Sequence, residues 1–172
     1  MDENEVLHLL QHKRHDWMNQ IQLVQGYASM GKMERVKEQL RRIIDESEHE
    51  RRLMNSSAVH FALWLITFNS RHSYYRLAYV INNDVDLSRH DEQLVAYANQ
   101  TIKAMDEFNV HEELYEGTLQ LSDNEENAGI TLSWNWTGAF TKEKELIKQL
   151  EDIGYRMAYI NGSDLYLELT IE

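Results

Sequence analysis

The sequence predicts an α+β protein, an N-terminal helical hairpin followed by a small α/β sandwich. Three observations carry that prediction. Apolar residues recur at three-four spacing through residue 54 and then give way to a mixture of alternating and helical runs. The 172-residue chain contains no proline, which suits long uninterrupted helices. Charge is divided unevenly: residues 1–56 hold nine Lys/Arg against ten Asp/Glu, net −1, whereas residues 57–172 hold eight against nineteen, net −11.

In residues 2–30, Val6, Leu10, Trp17, Ile21, Val24 and Ala28 lay one apolar stripe along an amphipathic helix that Gly31 stops. Residues 33–54 resume the pattern with Val36, Leu40, Ile43 and Met54, and carry Glu34, Lys37, Glu38, Arg41, Arg42 and Glu46 on the wet faces. The pair reads as an αα-hairpin. Its stripe is too narrow for two helices to bury alone, so two hairpins joined in a dimeric four-helix bundle are expected, and with them a homodimer.

A domain boundary is expected where the rhythm ends, near Asn55, Ser56 and Ser57, which gives domains 1–56 and 57–172. An apolar helix is predicted from about Val59 to Tyr75, and alternation at Leu77, Tyr79 and Ile81 predicts a strand. Leu94, Tyr97, Ala98, Ile102 and Met105 share one helix face. Leu119 and Leu121, then Ile130, Leu132, Trp134 and Trp136, predict two strands around a polar turn rich in Asp, Asn and Glu. A helix near Lys142 to Ile153 stops at Gly154, and strands around Arg156–Ile160 and Leu165–Ile171 meet at Asn161-Gly162, a hairpin signal.

Composition removes several functions. Zero cysteines exclude disulfides, thiolate zinc sites and a cysteine nucleophile. No stretch of eighteen apolar residues and no basic, apolar leader is present, so no membrane partner is expected and the location expected is the cytoplasm. The acidic second part would repel nucleic acid, so none is expected as a partner.

The chemistry lies on the first helix. At about 100° per residue, His8, Gln11, His15, Asn19, Gln22 and Gly26 fall within roughly 40° of one another's mean, on one polar face. Trp17 and Val24 point roughly 160–180° away, so the geometry that covers the stripe exposes His15. A neutral imidazole is a competent nucleophile and accepts a phosphoryl group reversibly. From position alone, a solvated histidine with no task is an equal reading. A metal site on His8, His12 and His15 is a weaker one, because no acidic or sulfur ligand completes it nearby and Arg14 opposes a cation. A Ser-His-Asp hydrolase is weaker still, since this face has no serine.

The run Arg14-His15-Asp16-Trp17-Met18-Asn19-Gln20-Ile21-Gln22-Leu23 resembles the phosphoacceptor box of a histidine-kinase subgroup in which His-Asp is followed one turn later by Asn. It is closer still to the sporulation initiation phosphotransferase B family, phosphorelay proteins of endospore-forming bacteria. Leu7-His8-Leu9-Leu10, the hairpin, Leu65-Ile66-Thr67-Phe68-Asn69 and Gly138-Ala139-Phe140 extend the likeness over most of the chain. The resemblance implies that His15 is phosphorylated. It also implies that the phosphoryl group comes from the aspartate of a single-domain response regulator and passes to the receiver domain of the sporulation master transcription factor. Asn19, Gln22 and Leu23 then lie on or beside the partner-binding face, and the C-terminal part resembles a degenerate histidine-kinase ATPase domain. Gly26 is expected to join Leu23 in partner contact because a small residue lets another backbone approach.

No ATP-dependent kinase activity is expected. The seven glycines all stand apart, at 26, 31, 117, 129, 138, 154 and 162, so neither a Gly-x-Gly pair nor a P-loop exists. Asn99 on the Leu94–Met105 helix is read as a surface residue rather than a remnant metal ligand. No cofactor or metal of the chain's own is expected, and the Mg²⁺ for transfer is expected from the partner receiver. Lys13 and Arg14 are expected to be solvated, and Asp16 to point away from His15. Two alternatives compete: a non-catalytic dimeric adaptor that binds receivers or kinases, and a degenerate sensor histidine kinase that retains nucleotide binding.

Overall fold

The computed structural model describes residues 3–124 and 129–172. The chain divides into two compact units, Met1–Arg51 and Arg52–Glu172. Among the described residues no helix is long and apolar enough to cross a membrane.

The first unit is the hairpin. Helix α1 spans Glu3–Ser29 and α2 spans Met33–Asn55, the last turn of α2 belonging to the second unit. Gly31, at φ +68°, closes α1: its N–H reaches the Ala28 carbonyl at 3.0 Å and the Lys32 N–H reaches Tyr27 at 2.9 Å. This doubly bonded C-cap needs a left-handed residue, which glycine adopts without a Cβ penalty. Along α2, Lys37–Glu34, Arg35–Glu38 and Arg51–Glu48 pair at i,i+3 on the solvent side. Each such exposed pair contributes only about 0.2–0.5 kcal/mol.

Within one chain α2 covers just one side of α1. The half-buried positions of α1 on that side are Leu9, Lys13, Gln20, Val24 and Tyr27, of which Lys13 and Gln20 reach Glu50 and Glu46 of α2. Their mean direction is rotated roughly 65° from that of the apolar stripe, which Val24 shares. Val6, Leu10, Ile21 and Trp17, the last 67% exposed, are therefore left as an apolar face of the single hairpin.

The second unit is a two-layer α/β sandwich. Its elements are α3 (Val59–Arg71), β1 (Tyr75–Ile81), α4 (Asp91–Phe108), β2 (Tyr115–Asn124), β3 (Gly129–Thr137), α5 (Glu143–Ile153), β4 (Met157–Asn161) and β5 (Asp164–Ile171). The sheet order is β1-β2-β3-β5-β4, with β1 parallel to β2 and every other pair antiparallel. Helix α4 supplies the crossover that a parallel pair requires. Alternate residues point into the helix layer: Leu119 and Leu121, Leu132, Trp134 and Trp136, and Leu165, Leu167 and Leu169 are all buried. The intervening positions form a polar, open face, as expected of a sheet covered on one side. The predicted polar turn between β2 and β3 falls partly on residues 125–128, which lie outside the described residues.

Aromatic rings tie the layers together. Trp134 and Trp136 stack at 6.1 Å, Trp64 meets Trp134 edge-on, and Tyr75 stacks on Tyr115 at 5.2 Å. A Cβ on Gly117 would lie 2.2 Å from Trp136 Cε3, so the absence of a side chain at that position is what admits the indole.

Helix α3 is shorter than the predicted run to Tyr75. It ends at Arg71, and Tyr75 instead begins β1, buried in the core. The stop is tertiary. The Asn69 amide accepts the Leu77 N–H at 2.8 Å and donates to the Leu77 carbonyl at 3.0 Å, as a neighbouring strand would. At its other end α3 has no side-chain cap of its own. Asp91 supplies one from α4, accepting the Phe61 N–H at 2.7 Å and the His60 N–H at 3.1 Å, with His60 Nδ1 at 2.8 Å. Burial alone would raise the Asp91 carboxyl, but these bonds outweigh it and hold the group below its ordinary range.

Candidate functional site

His15 sits near the middle of α1, on the side turned away from the α2 seam, and its side chain is 71% exposed. Its Nδ1 lies 3.4 Å from Asp16 Oδ1 and 3.3 Å from Asn19 Nδ2. One nitrogen cannot both donate to the carboxylate and accept from the amide. When Nδ1 carries the proton and donates it to Asp16, the Nε2 lone pair is free and directed at solvent. That is the tautomer in which Nε2 is the nucleophile; the Asp16 carboxylate favours it and the Asn19 N–H, at 3.3 Å from the same nitrogen, opposes it.

Asn19 is thus brought against His15, one turn along the same face. Gln22 and Leu23 follow on the next turn, both exposed, with Leu23 at 50%. Gly26 comes a turn later, and a Cβ there would meet nothing within 4 Å. The result is a polar lane from His15 through Asn19 and Gln22 to Gly26, with Leu23 on its flank. No acidic side chain lies along it beyond Asp16.

Two expectations for this helix are corrected. Asp16 does not point elsewhere: its carboxylate folds back to the His15 ring, which sequence adjacency alone, with a rotation of about 100°, does not reveal. Lys13 is not simply solvated: its Nζ donates to Glu50 Oε2 at 2.6 Å across the hairpin. Five residues beyond His15, Gln20 Nε2 donates to Glu46 Oε2 at 2.8 Å. Opposite charges spaced suitably on two antiparallel helices were the available signal for Lys13–Glu50; the neutral Gln20 offered no such signal.

His8 and His12 are exposed, and among the described residues no group of three His, Cys, Asp or Glu side chains gathers to hold a metal. In the second unit, Asn99 Oδ1 accepts the Trp64 indole N–H at 2.8 Å. This gives the asparagine a structural role in joining α3 to α4.

The comparisons with known proteins divide the chain in the same order. Residues 1–56 match the family model described as sensor kinase SpoOB-type, alpha-helical domain. Residues 57–171 match the one described as sporulation initiation phospho-transferase B, C-terminal. The sporulation initiation phosphotransferase B of Bacillus subtilis (strain 168) is 29% identical over 174 residues, covering 98% of this chain and 91% of that protein. Among solved structures, the Erythrobacter litoralis EL346 blue-light activated histidine kinase aligns with a TM-score of 0.44 at 9% identity, over 67% of this chain and 39% of that one. Because the C-terminal family model alone matches most of the chain, this protein belongs to the sporulation initiation phosphotransferase B family and is a phosphotransferase of the sporulation phosphorelay.

Proposed function

We propose that Nε2 of His15 takes a phosphoryl group from the phosphoaspartate of a single-domain response regulator. The group then passes to a second receiver, that of the sporulation master transcription factor, in the cytoplasm. The observation that carries this reading is the exposed imidazole of His15, whose Nδ1 lies beside Asp16. In the forward step the Nε2–P bond forms as the bond from phosphorus to the aspartyl oxygen breaks, and the receiver's carboxylate leaves as an anion. Nδ1 keeps its proton throughout. That retained proton lets the ring leave as a neutral imidazole when the group is passed on, while Asp16 offsets the positive charge that the ring acquires on attack.

A Mg²⁺ held by the receiver neutralises the moving phosphoryl oxygens, and this chain contributes the nucleophile and its orientation. Asn19 and Gln22 present neutral hydrogen-bonding groups that do not repel a phosphoryl anion. Leu23 and the open position at Gly26 receive the partner's surface. The exposed face of Val6, Leu10, Trp17 and Ile21, with Leu40 and Ile44 of α2, supports a homodimer in which two hairpins pair as a four-helix bundle. Such pairing leaves His15 outside, because the stripe lies roughly 140° from it around α1.

The test is transfer of radiolabelled phosphate from a pre-phosphorylated receiver to the wild type and to His15→Gln. Acid-labile, base-stable label on the wild type alone is expected. Absence of label on both proteins, with the receiver still bound, would replace this reading with that of an adaptor.

A further inference from the structure

In-line transfer tolerates little rotation of the nucleophile, so α1 must be held with His15 facing outward. In most helix pairs apolar packing does this. Here the seam beside His15 is polar. Val36, close to the hairpin turn, is the one buried residue among those described in the first unit. The two seam positions that bracket His15 are Lys13 and Gln20, each about 140–160° around the helix from it. Each is bonded across to α2, Lys13 to Glu50 at 2.6 Å and Gln20 to Glu46 at 2.8 Å.

We propose that Lys13–Glu50 and Gln20–Glu46 are positioning pairs that set the rotation and register of α1 against α2, and thereby the direction in which His15 Nε2 meets the phosphoryl donor. This rests on the reading of His15 as phosphoacceptor. Apolar side chains pack in several rotations at similar cost, whereas a hydrogen bond loses its strength within a few tens of degrees. A polar residue in an otherwise apolar seam specifies register for that reason. The pairs stand on both sides of His15 along the helix, roughly 3 Å and 7.5 Å from it in axial rise, so together they resist twisting at the level of the ring. Glu50 is half-buried, and a slip of α1 would leave its charge beside the seam without a partner.

Because leucine in a helix seam normally stabilises, exchange of the polar pairs for leucine separates positioning from stability. Lys13→Leu/Glu50→Leu and Gln20→Leu/Glu46→Leu are to be compared with the wild type for thermal midpoint and for single-turnover transfer from a phosphorylated receiver. The midpoints are expected to stay level or rise. The maximal transfer rate is expected to fall about fivefold or more while half-saturation by the receiver changes by less than about twofold. Glu50→Lys alone should show the same loss, and addition of Lys13→Glu should restore the rate by rebuilding the pair in reverse.

Wild-type rates in the leucine variants, or a loss confined to receiver half-saturation, would overturn the proposal. So would a charge swap that fails to recover the rate of a folded protein. Failure of the underlying reading looks different, since the wild type itself would then take no label on His15.

Discussion

The imidazole of His15 has two neighbours and two nitrogens, and the division between them is the chemistry of the site. Asp16 and Asn19 both meet Nδ1, which leaves Nε2 for the partner. Asp16→Asn keeps an acceptor for the Nδ1 proton but removes the negative charge, so transfer should slow about tenfold, equivalent to about 1.4 kcal/mol in the barrier. Rapid-quench measurement of phosphohistidine formation checks this, and an unchanged rate would mean that the carboxylate is a bystander. Asp91, whose side chain is 13% exposed, is a residue of another kind. It closes the N-terminus of α3 from the neighbouring helix, and Asp91→Ala should cost about 1–2 kcal/mol of stability. Its carboxyl is held below the ordinary value, so its stabilisation is full above that value and disappears as pH falls through the folded-state one. The wild type should therefore lose more stability than Asp91→Asn on descent below about pH 4, as followed by thermal midpoints.

Helix α1 shows stability and function pulling in opposite directions at one position. Gly26 lies in the helix with open space where a Cβ would go. Gly26→Ala should stabilise α1 by about 0.5–1 kcal/mol, yet it places a methyl group on the lane proposed to receive the partner. A higher thermal midpoint together with weaker receiver half-saturation is expected; a rise in stability with unaltered transfer would remove Gly26 from the docking surface. The boundaries of α1 and α5 were readable because glycines at 31 and 154 punctuate them locally. The end of α3 was not readable, because Asn69 stops it by bonding to Leu77 in a strand not yet formed when the local sequence is read. Similarly, Tyr75 has the apolar spacing of a continuing helix and is claimed by the aromatic stack with Tyr115.

For the whole molecule, the exposed apolar face of the hairpin and the acidic second part set the expected behaviour in solution. Trp17→Glu with Ile21→Glu places two charges on that face, and sedimentation equilibrium should show the dimer proposed for the wild type replaced by a monomer. A wild type already monomeric at micromolar concentration, or a double variant that stays dimeric, would relocate or remove the interface. The net charge of −11 over residues 57–172 separates this part from the nearly neutral hairpin, so electrostatic repulsion of phosphorylated ligands is concentrated away from His15 in sequence.

The sequence by itself determined the order of elements, the alternating core positions of the sheet and the polar face on which His15, Asn19, Gln22 and Gly26 lie. These follow from the 3.6- and 2-residue periods, which are local properties of the backbone. Only the tertiary structure decided the strand order β1-β2-β3-β5-β4, the cap that Asp91 lends to α3, the return of Asp16 to His15, and the Lys13–Glu50 and Gln20–Glu46 bonds. Each joins groups whose meeting depends on how elements pack or how a side chain rotates, and neither is encoded in the spacing of residues along one helix or strand.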